Sequence, residues 1–325
     1  MKKAPPNNLV FLVDVSGSMV DENKLPLLKR SLKLMTDQLR EEDNVSIVVY
    51  AGAAGLVLPP TSGAKKEVIN QALDSLEAGG STAGGAGIQL AYKVAKEHFL
   101  PNGNNRVILA TDGDFNIGAS SDAEMERLIE EKRKDGIFLT VLGFGMGNYK
   151  DSKMEILADK GNGNYAYIDS LLEAKKVLVS QLGSTLLTIA KDVKLQIEFN
   201  PTKVAQYRLI GYENRLMRAE DFHDDKKDAG ELGSGHCVTA LYEIVPATAE
   251  KGKNDLQYQE TTIKPDAYQS SELMTLKLRY KQPKSDTSQL ITLPIQDQKV
   301  ELMNTSNNFR FSAAEAGFGL LLRDS

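Results

Sequence analysis

The sequence predicts a doubly wound α/β domain with a mostly parallel sheet over residues 1–189, followed by a β-rich, sandwich-like domain over residues 190–325. Short continuous apolar segments alternate with helical periods up to about residue 188, which is typical of a parallel sheet buried on both faces. After about residue 190 the apolar residues recur at every second position, as in half-buried antiparallel strands. A length of 325 residues also favours two domains over one.

Five apolar segments predict the parallel strands of the first domain. They read NLVFLV, VSIVVY, RVILAT, IFLTVLGF and NYAYI. The stretch VSIVVYAGAAGLVLPP differs, because a Gly-containing turn joins two short strands and the second ends at Pro59 and Pro60. We expect this stretch to form an antiparallel hairpin at an edge of the sheet.

Helical segments lie between these strands. The first runs from Lys24 to Arg40 and carries leucine and methionine at spacings of three and four, which places one apolar stripe on its surface. Pro26 lies in its first turn, where a missing backbone N–H costs little. Further helices are predicted near residues 64–76, 84–99, 121–135, 151–160 and 170–188.

Period-two alternation predicts the strands of the second domain, in KDVKLQIEFNP, HCVTALYEIVP and SELMTLKLRY. On the first of these, alternate apolar residues are expected to share one face: Val193, Leu195, Ile197 and Phe199. The stretches 218–235 and 247–270 are rich in Asp, Lys, Gly and Ser and are predicted to be loops. The last twenty residues return to helical spacing, so we expect a terminal helix with an apolar stripe.

Composition excludes several classes of protein. The chain has 39 Lys and Arg against 44 Asp and Glu, a net charge of −5, so a general nucleic-acid binder is not expected. Its single cysteine, Cys237, cannot form an intrachain disulfide and is expected to lie in the core. No apolar segment approaches the roughly 18 residues of a membrane span. The first residues, MKKAPPNN, lack the apolar segment of a signal peptide.

Oxygen-bearing side chains follow the predicted strands at three places. FLVDVSGSMV places Asp14, Ser16 and Ser18 just past the first strand, with no histidine or lysine beside them. GGST places Thr82 in a Gly-rich loop, and ILATDGD places Asp112 after the strand RVILA. Because ligands of doubly wound sheets bind outside the carboxyl ends of the strands, we expect these side chains to meet. Two carboxylates and three hydroxyls suit Mg²⁺ or Mn²⁺ rather than Zn²⁺.

Each of the three segments alone also fits a turn or a helix N-cap. Their occurrence at strand ends of one α/β domain favours an ion site. Two other functions compete with ion-dependent binding. A Mg²⁺-dependent hydrolase of the phosphatase type would also end its first strand on Asp14, but it needs a second carboxylate where Ser16 stands. A structural protein with a vestigial site is the other alternative.

With D-x-S-x-S, a threonine in a following loop and an aspartate after the fourth strand, the chain resembles the von Willebrand factor type A family over about residues 8–188. The resemblance implies a Rossmann-like sheet and a metal-ion-dependent adhesion site. It implies that Ser16, Ser18 and Thr82 bind the ion directly or nearly so, and that Asp14 and Asp112 bind it directly or through water. It further implies a non-enzymatic module in which Mg²⁺, Mn²⁺ or Ca²⁺ bridges to an Asp or Glu of a partner protein.

Longer stretches, NRVILATDGDFNIG and KGNGNYAYIDS, resemble bacterial envelope proteins that join a type A domain to a β-rich C-terminal domain. This resemblance implies a location in the cell envelope or outside the cell, with the export signal missing from this chain.

Two further expectations concern a loop and a helix near the site. The stretch VLGFGMGNYKD is expected to rim the crevice, with Asp114, Asn148 and Tyr149 contacting the partner, a flexible βα loop being the alternative. The helix predicted near 170–188 runs directly into the second domain. In related adhesion domains that helix shifts with ligand state, so we expect such a shift to reach the joint between the domains.

Overall fold

The computed structural model describes residues 5–80, 84–113, 122–146, 151–181, 188–212, 216–227, 229–247, 262–283 and 285–323. The chain forms two compact units, residues 1–191 with 230–236, and residues 192–229 with 237–325. The division between residues 189 and 190 stays a prediction. Within the described ranges, no helix has both the length and the apolar character that a membrane span requires.

Six strands form the sheet of the first unit: β1 (Asn7–Asp14), β2 (Asn44–Tyr50), β3 (Ala54–Ser62), β4 (Asn104–Thr111), β5 (Ile137–Phe144) and β6 (Tyr165–Ile168). Their order across the sheet is β3-β2-β1-β4-β5-β6. Neighbouring strands are parallel, except that β2 and β3 form the predicted antiparallel edge hairpin. β3 continues through Pro59 and Pro60 to Ser62, beyond its predicted end.

Helices connect these strands: α1 (Leu25–Asp37), α2 (Lys66–Asp74), α3 (Gly84–Glu97), α4 (Asp122–Lys134), α5 (Asp151–Lys160) and α6 (Leu171–Lys175). A 3₁₀ turn over Gly17–Val20 precedes α1, and a π-helical turn over Lys176–Ser180 continues α6. The helix predicted to reach residue 188 ends at Ser180 in the described part, and residues 182–187 lie outside it. Its predicted end was wrong at Thr188, which begins a strand. α1 ends before the predicted Arg40, whose backbone N–H donates to the Asp43 carboxylate at 2.8 Å.

Alternate residues of β1 pack into two apolar cores, one on each face of the sheet. Leu9, Phe11 and Val13 join the core formed with α1, α2 and α6. Val10 and Leu12 join the core formed with α3, α4 and α5. All five side chains are fully buried. This two-sided burial explains the continuous apolar segment in the sequence and confirms the predicted doubly wound α/β fold.

The chain after residue 187 forms two smaller sheets from β7 (Thr188–Phe199), β8 (Val204–Ile210), β9 (Gly230–Gly233), β10 (Leu241–Pro246), β11 (Glu272–Lys281) and β12 (Ser288–Gln296). Their orders are β12-β11-β7-β9 and β10-β8. β11 with β12 and β8 with β10 are antiparallel, as alternation predicted. Helices α7 (Pro265–Gln269) and α8 (Asn307–Arg323) follow, the second being the predicted terminal helix.

Burial along β7 departs from the predicted alternation. Asp192 and Lys194 are 5% and 2% exposed, whereas Leu195 is 52% exposed. Asp192 adopts a left-handed φ of 54°, which interrupts the regular alternation of a strand. Its carboxylate lies 3.3 Å from Nζ of Lys194 and 2.9 Å from Nζ of Lys281. The prediction of an apolar buried face was therefore wrong at Leu195.

Polar stretches and the cysteine also differ from expectation. The predicted loop 218–235 contains a 3₁₀ turn over Ala219–His223 and the strand β9, and α7 falls within the predicted loop 247–270. The strand predicted from HCVTALYEIVP begins only at Leu241. Cys237 lies before it and is exposed, so its predicted core position was wrong. Without a paired strand around it, this cysteine lacks the neighbours that would bury it.

Candidate metal site

The residues predicted to bind an ion follow β1 and β4, which are neighbours in the sheet. β1 ends at Asp14 and β4 at Thr111, and the parallel register pairs Val13 with Ala110. The chain continues from β1 to β2 on one side, while β4 lies on the other side. This is the point at which the strand order reverses, where doubly wound sheets form their ligand crevice.

The carboxylate of Asp14 is fully buried and accepts three hydrogen bonds. Oδ1 accepts from the backbone N–H of Ser16 at 2.9 Å, and Oδ2 accepts from the hydroxyls of Tyr50 at 3.0 Å and Thr111 at 3.2 Å. Burial raises the pKa of Asp14 above its ordinary value, the bonds from Ser16 and Tyr50 oppose this, and the negative charge of Asp112 adds to it. A cation close to this carboxylate would therefore stabilise its charged form.

Tyr50 supports Asp14 from the end of the neighbouring strand, where the register pairs the two residues. Burial, and then the charge of Asp14, raise the pKa of Tyr50 well above its ordinary value, so its hydroxyl remains a donor. Gly87 of α3 makes room for the ring, because a Cβ there would lie 2.8 Å from Cβ of Tyr50. Tyr50 and Thr111 were not among the residues predicted for the site. Parallel pairing of β2 and β4 with β1 is the signal that could have identified them.

The hydroxyls of Ser16 and Ser18 lie together in the turn after β1, with 3.1 Å between their Oγ atoms. Ser16 is buried and Ser18 is exposed. The backbone N–H of Gly17 donates to the carbonyl of Gly80 at 3.0 Å, so this turn is held against the chain that leads toward α3. Thr82, two residues further in sequence, lies outside the described residues.

Asp112 follows β4 and pairs with a lysine that was not predicted to lie here. Its side chain is 5% exposed. Nζ of Lys24 donates to Oδ2 of Asp112 at 3.0 Å and to the backbone carbonyl of Ser18 at 2.8 Å. Lys24 stands just before α1 and is 88 positions from Asp112 in sequence. The fold alone brings them together, so no local pattern could have revealed the pair.

The loop after β5 approaches the stem of Lys24. The backbone N–H of Gly145 donates to the carbonyl of Asn23 at 3.1 Å, and Gly145 has a left-handed φ of 84°. A Cβ at this glycine would lie 2.7 Å from Cε of Lys24. Glycine therefore meets both the backbone conformation and the space that the lysine needs. The predicted rim residues lie outside the described part of the chain: Asp114, Asn148 and Tyr149.

The side chains of this site fit a hard divalent ion. Asp14, Ser16, Ser18 and Asp112 offer oxygen atoms only, which is the donor chemistry that Mg²⁺ prefers. The ammonium of Lys24 lies between Asp112 and the carbonyl of Ser18, so the oxygen atoms of this corner already face a positive charge. In the described part of the chain, no three His, Cys, Asp or Glu side chains cluster as a metal cage.

The chain matches known domains over nearly all its length. Residues 8–181, more than half of the chain, match the von Willebrand factor type A domain. The chain belongs to the von Willebrand factor type A family. Residues 184–325 match a second domain, described as "Uncharacterized protein YfbK, C-terminal". Type A domains typically bind a divalent metal ion, and the family supports metal-dependent protein interaction as the general function of this domain.

Two similar proteins are longer than this chain. The "Uncharacterized protein YfbK" of Escherichia coli (strain K12) is 45% identical over 324 residues, which cover 100% of this chain and 56% of that protein. Inter-alpha-trypsin inhibitor heavy chain H3 of Homo sapiens is 29% identical over 274 residues, 78% of this chain and 30% of that protein. The chain thus spans about half the length of the first of these relatives and less of the second.

Among solved structures, a von Willebrand factor type A protein from Catenulispora acidiphila aligns with a TM-score of 0.50. The alignment has 17% sequence identity and covers 90% of this chain and 66% of that chain. At this identity the likeness concerns the fold alone.

Proposed function

We propose that the type A domain binds a partner protein through a divalent cation held by Ser16, Ser18 and Thr82, with Asp14 and Asp112 binding it directly or through water. Mg²⁺ is the expected ion, and Mn²⁺ and Ca²⁺ share its preference for oxygen. The observation that carries the proposal is the pair of serine hydroxyls, 3.1 Å apart, beside a fully buried carboxylate at the switch point of the sheet.

The bound ion would supply an electrophilic position for the carboxylate of an Asp or Glu on the partner. The two aspartates carry no more negative charge than is needed to balance a divalent ion, and the hydroxyls add none. The ion therefore remains able to attract a further carboxylate at short range. Asp14 orients the turn by accepting the backbone N–H of Ser16 at 2.9 Å. Tyr50 and Thr111 hold the Asp14 carboxylate in turn and keep it from rotating away.

A binding module fits these residues better than a hydrolase of the phosphatase type. The general acid of such a hydrolase would stand two residues after Asp14, where this chain has Ser16. A serine hydroxyl does not ionise near neutral pH and is too weak an acid to take that role. The location in the cell envelope remains a prediction from the sequence resemblance.

Calorimetric titration of the EDTA-stripped chain with Mg²⁺, Mn²⁺ and Ca²⁺ tests the ion site. We expect one ion per chain, and Asp112→Asn should weaken binding by about tenfold or more because it removes a charged ligand. Asp37→Asn is the matched control, since it removes the same charge from an exposed position at the end of α1. It should change the affinity by less than about twofold. Equal affinities for the two variants would contradict the proposed ligand set.

A peptide array tests the partner chemistry. Each acidic peptide is paired with one in which the Asp or Glu is replaced by Asn or Gln. We expect the type A domain to bind acidic peptides in Mg²⁺ and to release them in EDTA. The peptides with Asn or Gln should not bind under either condition. Binding that survives EDTA, or that treats acid and amide alike, would contradict a carboxylate bridge through the ion.

A further inference from the structure

We propose that Lys24 is a tethered cation that occupies the Asp112 corner of the site in the ion-free protein and competes there with the divalent ion. The inference rests on the proposed function, because it concerns the same ion site. It assigns to Lys24 a role that lowers ion affinity, rather than a role in holding the ion.

Lys24 makes contacts of the kind that a metal ion would make. Its ammonium joins the carboxylate of Asp112 to the main chain of Ser18, at 3.0 Å and 2.8 Å. It thereby connects the segment after β4 with the turn after β1, which are two of the three segments proposed to hold the ion. The side chains of Lys24 and Asp112 are only 15% and 5% exposed, so water screens this ion pair little.

The backbone around Gly145 determines where the side chain of Lys24 can lie. Its stem passes Gly145, where a Cβ would lie 2.7 Å from Cε and 2.9 Å from Cγ of Lys24. The hydrogen bond from Gly145 to the carbonyl of Asn23 fixes the loop beside the residue that precedes the lysine. The ammonium is thus aimed at Asp112 by its surroundings, and most other residues at position 145 would displace it.

Competition follows from charge. A Mg²⁺ ion binds carboxylate oxygens at about 2.0–2.1 Å. An ammonium remaining on the same carboxylate would repel that ion at short range. Binding of the ion therefore releases Lys24, and the free energy of its ion pair is subtracted from the ion affinity. The released ammonium then adds a positive charge at the place where an acidic partner approaches.

The test compares ion affinities of the EDTA-stripped full chain and of Lys24→Met, measured by calorimetry with Mg²⁺ and Mn²⁺. Lys29→Met is the matched control. Lys29 lies on α1, five residues after Lys24, and donates to the backbone carbonyls of Asp74 and Leu76. Its replacement changes the net charge equally. We expect Lys24→Met to bind the ion about tenfold more tightly than the unmodified chain, which corresponds to about 1.4 kcal/mol. Lys29→Met should differ by less than about twofold.

An affinity of Lys24→Met equal to or weaker than that of the unmodified chain would overturn the role of Lys24 and leave the ion site intact. Absence of ion binding in all three proteins would overturn the ion site as well. Ion binding that appears only in Lys24→Met would support the competition. Should Lys24→Met fail to fold, Lys24→Gln, whose amide can still reach the Ser18 carbonyl, carries the same expectations.

Amine labelling gives a second measurement. If Lys24 had a purely structural role, its labelling rate would not depend on the ion. Reductive methylation followed by peptide mass spectrometry reports how accessible each lysine ammonium is. We expect Lys24 to be labelled slowly in EDTA and faster in Mn²⁺, while Lys29 is labelled at the same rate in both. If the labelling rate of Lys24 is the same in EDTA and in Mn²⁺, and the ion affinity of Lys24→Met is unchanged, the exchange of one cation for the other is refuted.

Discussion

Replacing Asp43 by asparagine is expected to destabilise the type A domain by about 3 kcal/mol without changing its affinity for the ion. Asp43 precedes β2, at the end of the strand opposite Tyr50 and the ion site. Its side chain is 2% exposed. Oδ1 accepts from the backbone N–H and Nδ2 of Asn7 and from Nη2 of Arg40, at 2.8–2.9 Å. Oδ2 accepts from the backbone N–H and Nε of Arg40, at 2.8 and 3.1 Å.

The magnitude follows from these bonds. An asparagine can keep the three bonds at Oδ1, but its NH₂ group would then face the two donors of Arg40. Two lost bonds to a charged acceptor cost about 1.5 kcal/mol each, which gives about 3 kcal/mol. This is the lower end of the roughly 3–5 kcal/mol for breaking a buried ion pair. The lower end applies because the side chain of Arg40 is 30% exposed.

The same carboxylate predicts a pH dependence. Burial alone would raise the pKa of Asp43, but the hydrogen bonds from Arg40 and Asn7 outweigh it and hold the pKa below its ordinary value of 3.8. A carboxyl whose pKa is lowered by folding stabilises the protein fully above its unfolded pKa. That stability is lost as the pH falls below 3.8 and through the lower folded pKa. Asp43→Asn should lack this part of the acid sensitivity.

Hydrogen exchange of β1 and β2 amides, followed as a function of urea, reports the stability of the type A domain within the full chain. Asp37→Asn serves again as the control for loss of one charge. An Asp43→Asn variant as stable at pH 7 as the unmodified chain, or equally sensitive to acid, would refute the reasoning. So would a change in ion affinity, because the substitution is remote from the site.

Three further substitutions test other contacts. Tyr50→Phe removes the hydroxyl that donates to Asp14 and should lower the unfolding free energy of the type A domain by about 1.5–3 kcal/mol, measured by the same exchange experiment. Gly87→Ala should cost about 1–3 kcal/mol because the new methyl group meets Tyr50, and an unchanged thermal midpoint would argue against that close approach. Lys281→Met leaves the buried Asp192 with one cation fewer and should cost about 1–3 kcal/mol. Faster hydrogen exchange of the β11 amides, with no change in the β1 amides, would show this local loss of stability.

The first half of the fold was predictable because its signals are local and repeated. Strands buried on both faces give continuous apolar segments, and the helices between them show one apolar stripe. Asp14 and Asp112 could be placed at strand ends for the same reason, whereas the loop that carries Thr82 follows the helix α2 rather than a strand. Asp14 and Ser16 could be expected to lie together, since they are two residues apart in one turn.

Contacts across the fold could not be predicted from such signals. The pair of Lys24 and Asp112 depends on how a helix start and a strand end meet in space. The burial of Asp192 depends on a left-handed backbone residue that breaks the alternation of its strand, and on a lysine from β11. Cys237 was misplaced because a residue type that is usually buried says nothing of whether a strand forms around it.

The two outer strands of the described type A sheet bear on how the protein behaves when crowded. β3 carries Pro59 and Pro60, which have no N–H to offer a neighbouring chain, and β6 has only four residues. Exposed strand edges template aggregation, and prolines and short edge strands are means by which proteins prevent it. Many copies of the domain can therefore lie close together, with their loops exposed, without an outer strand of one copy pairing with a strand of another.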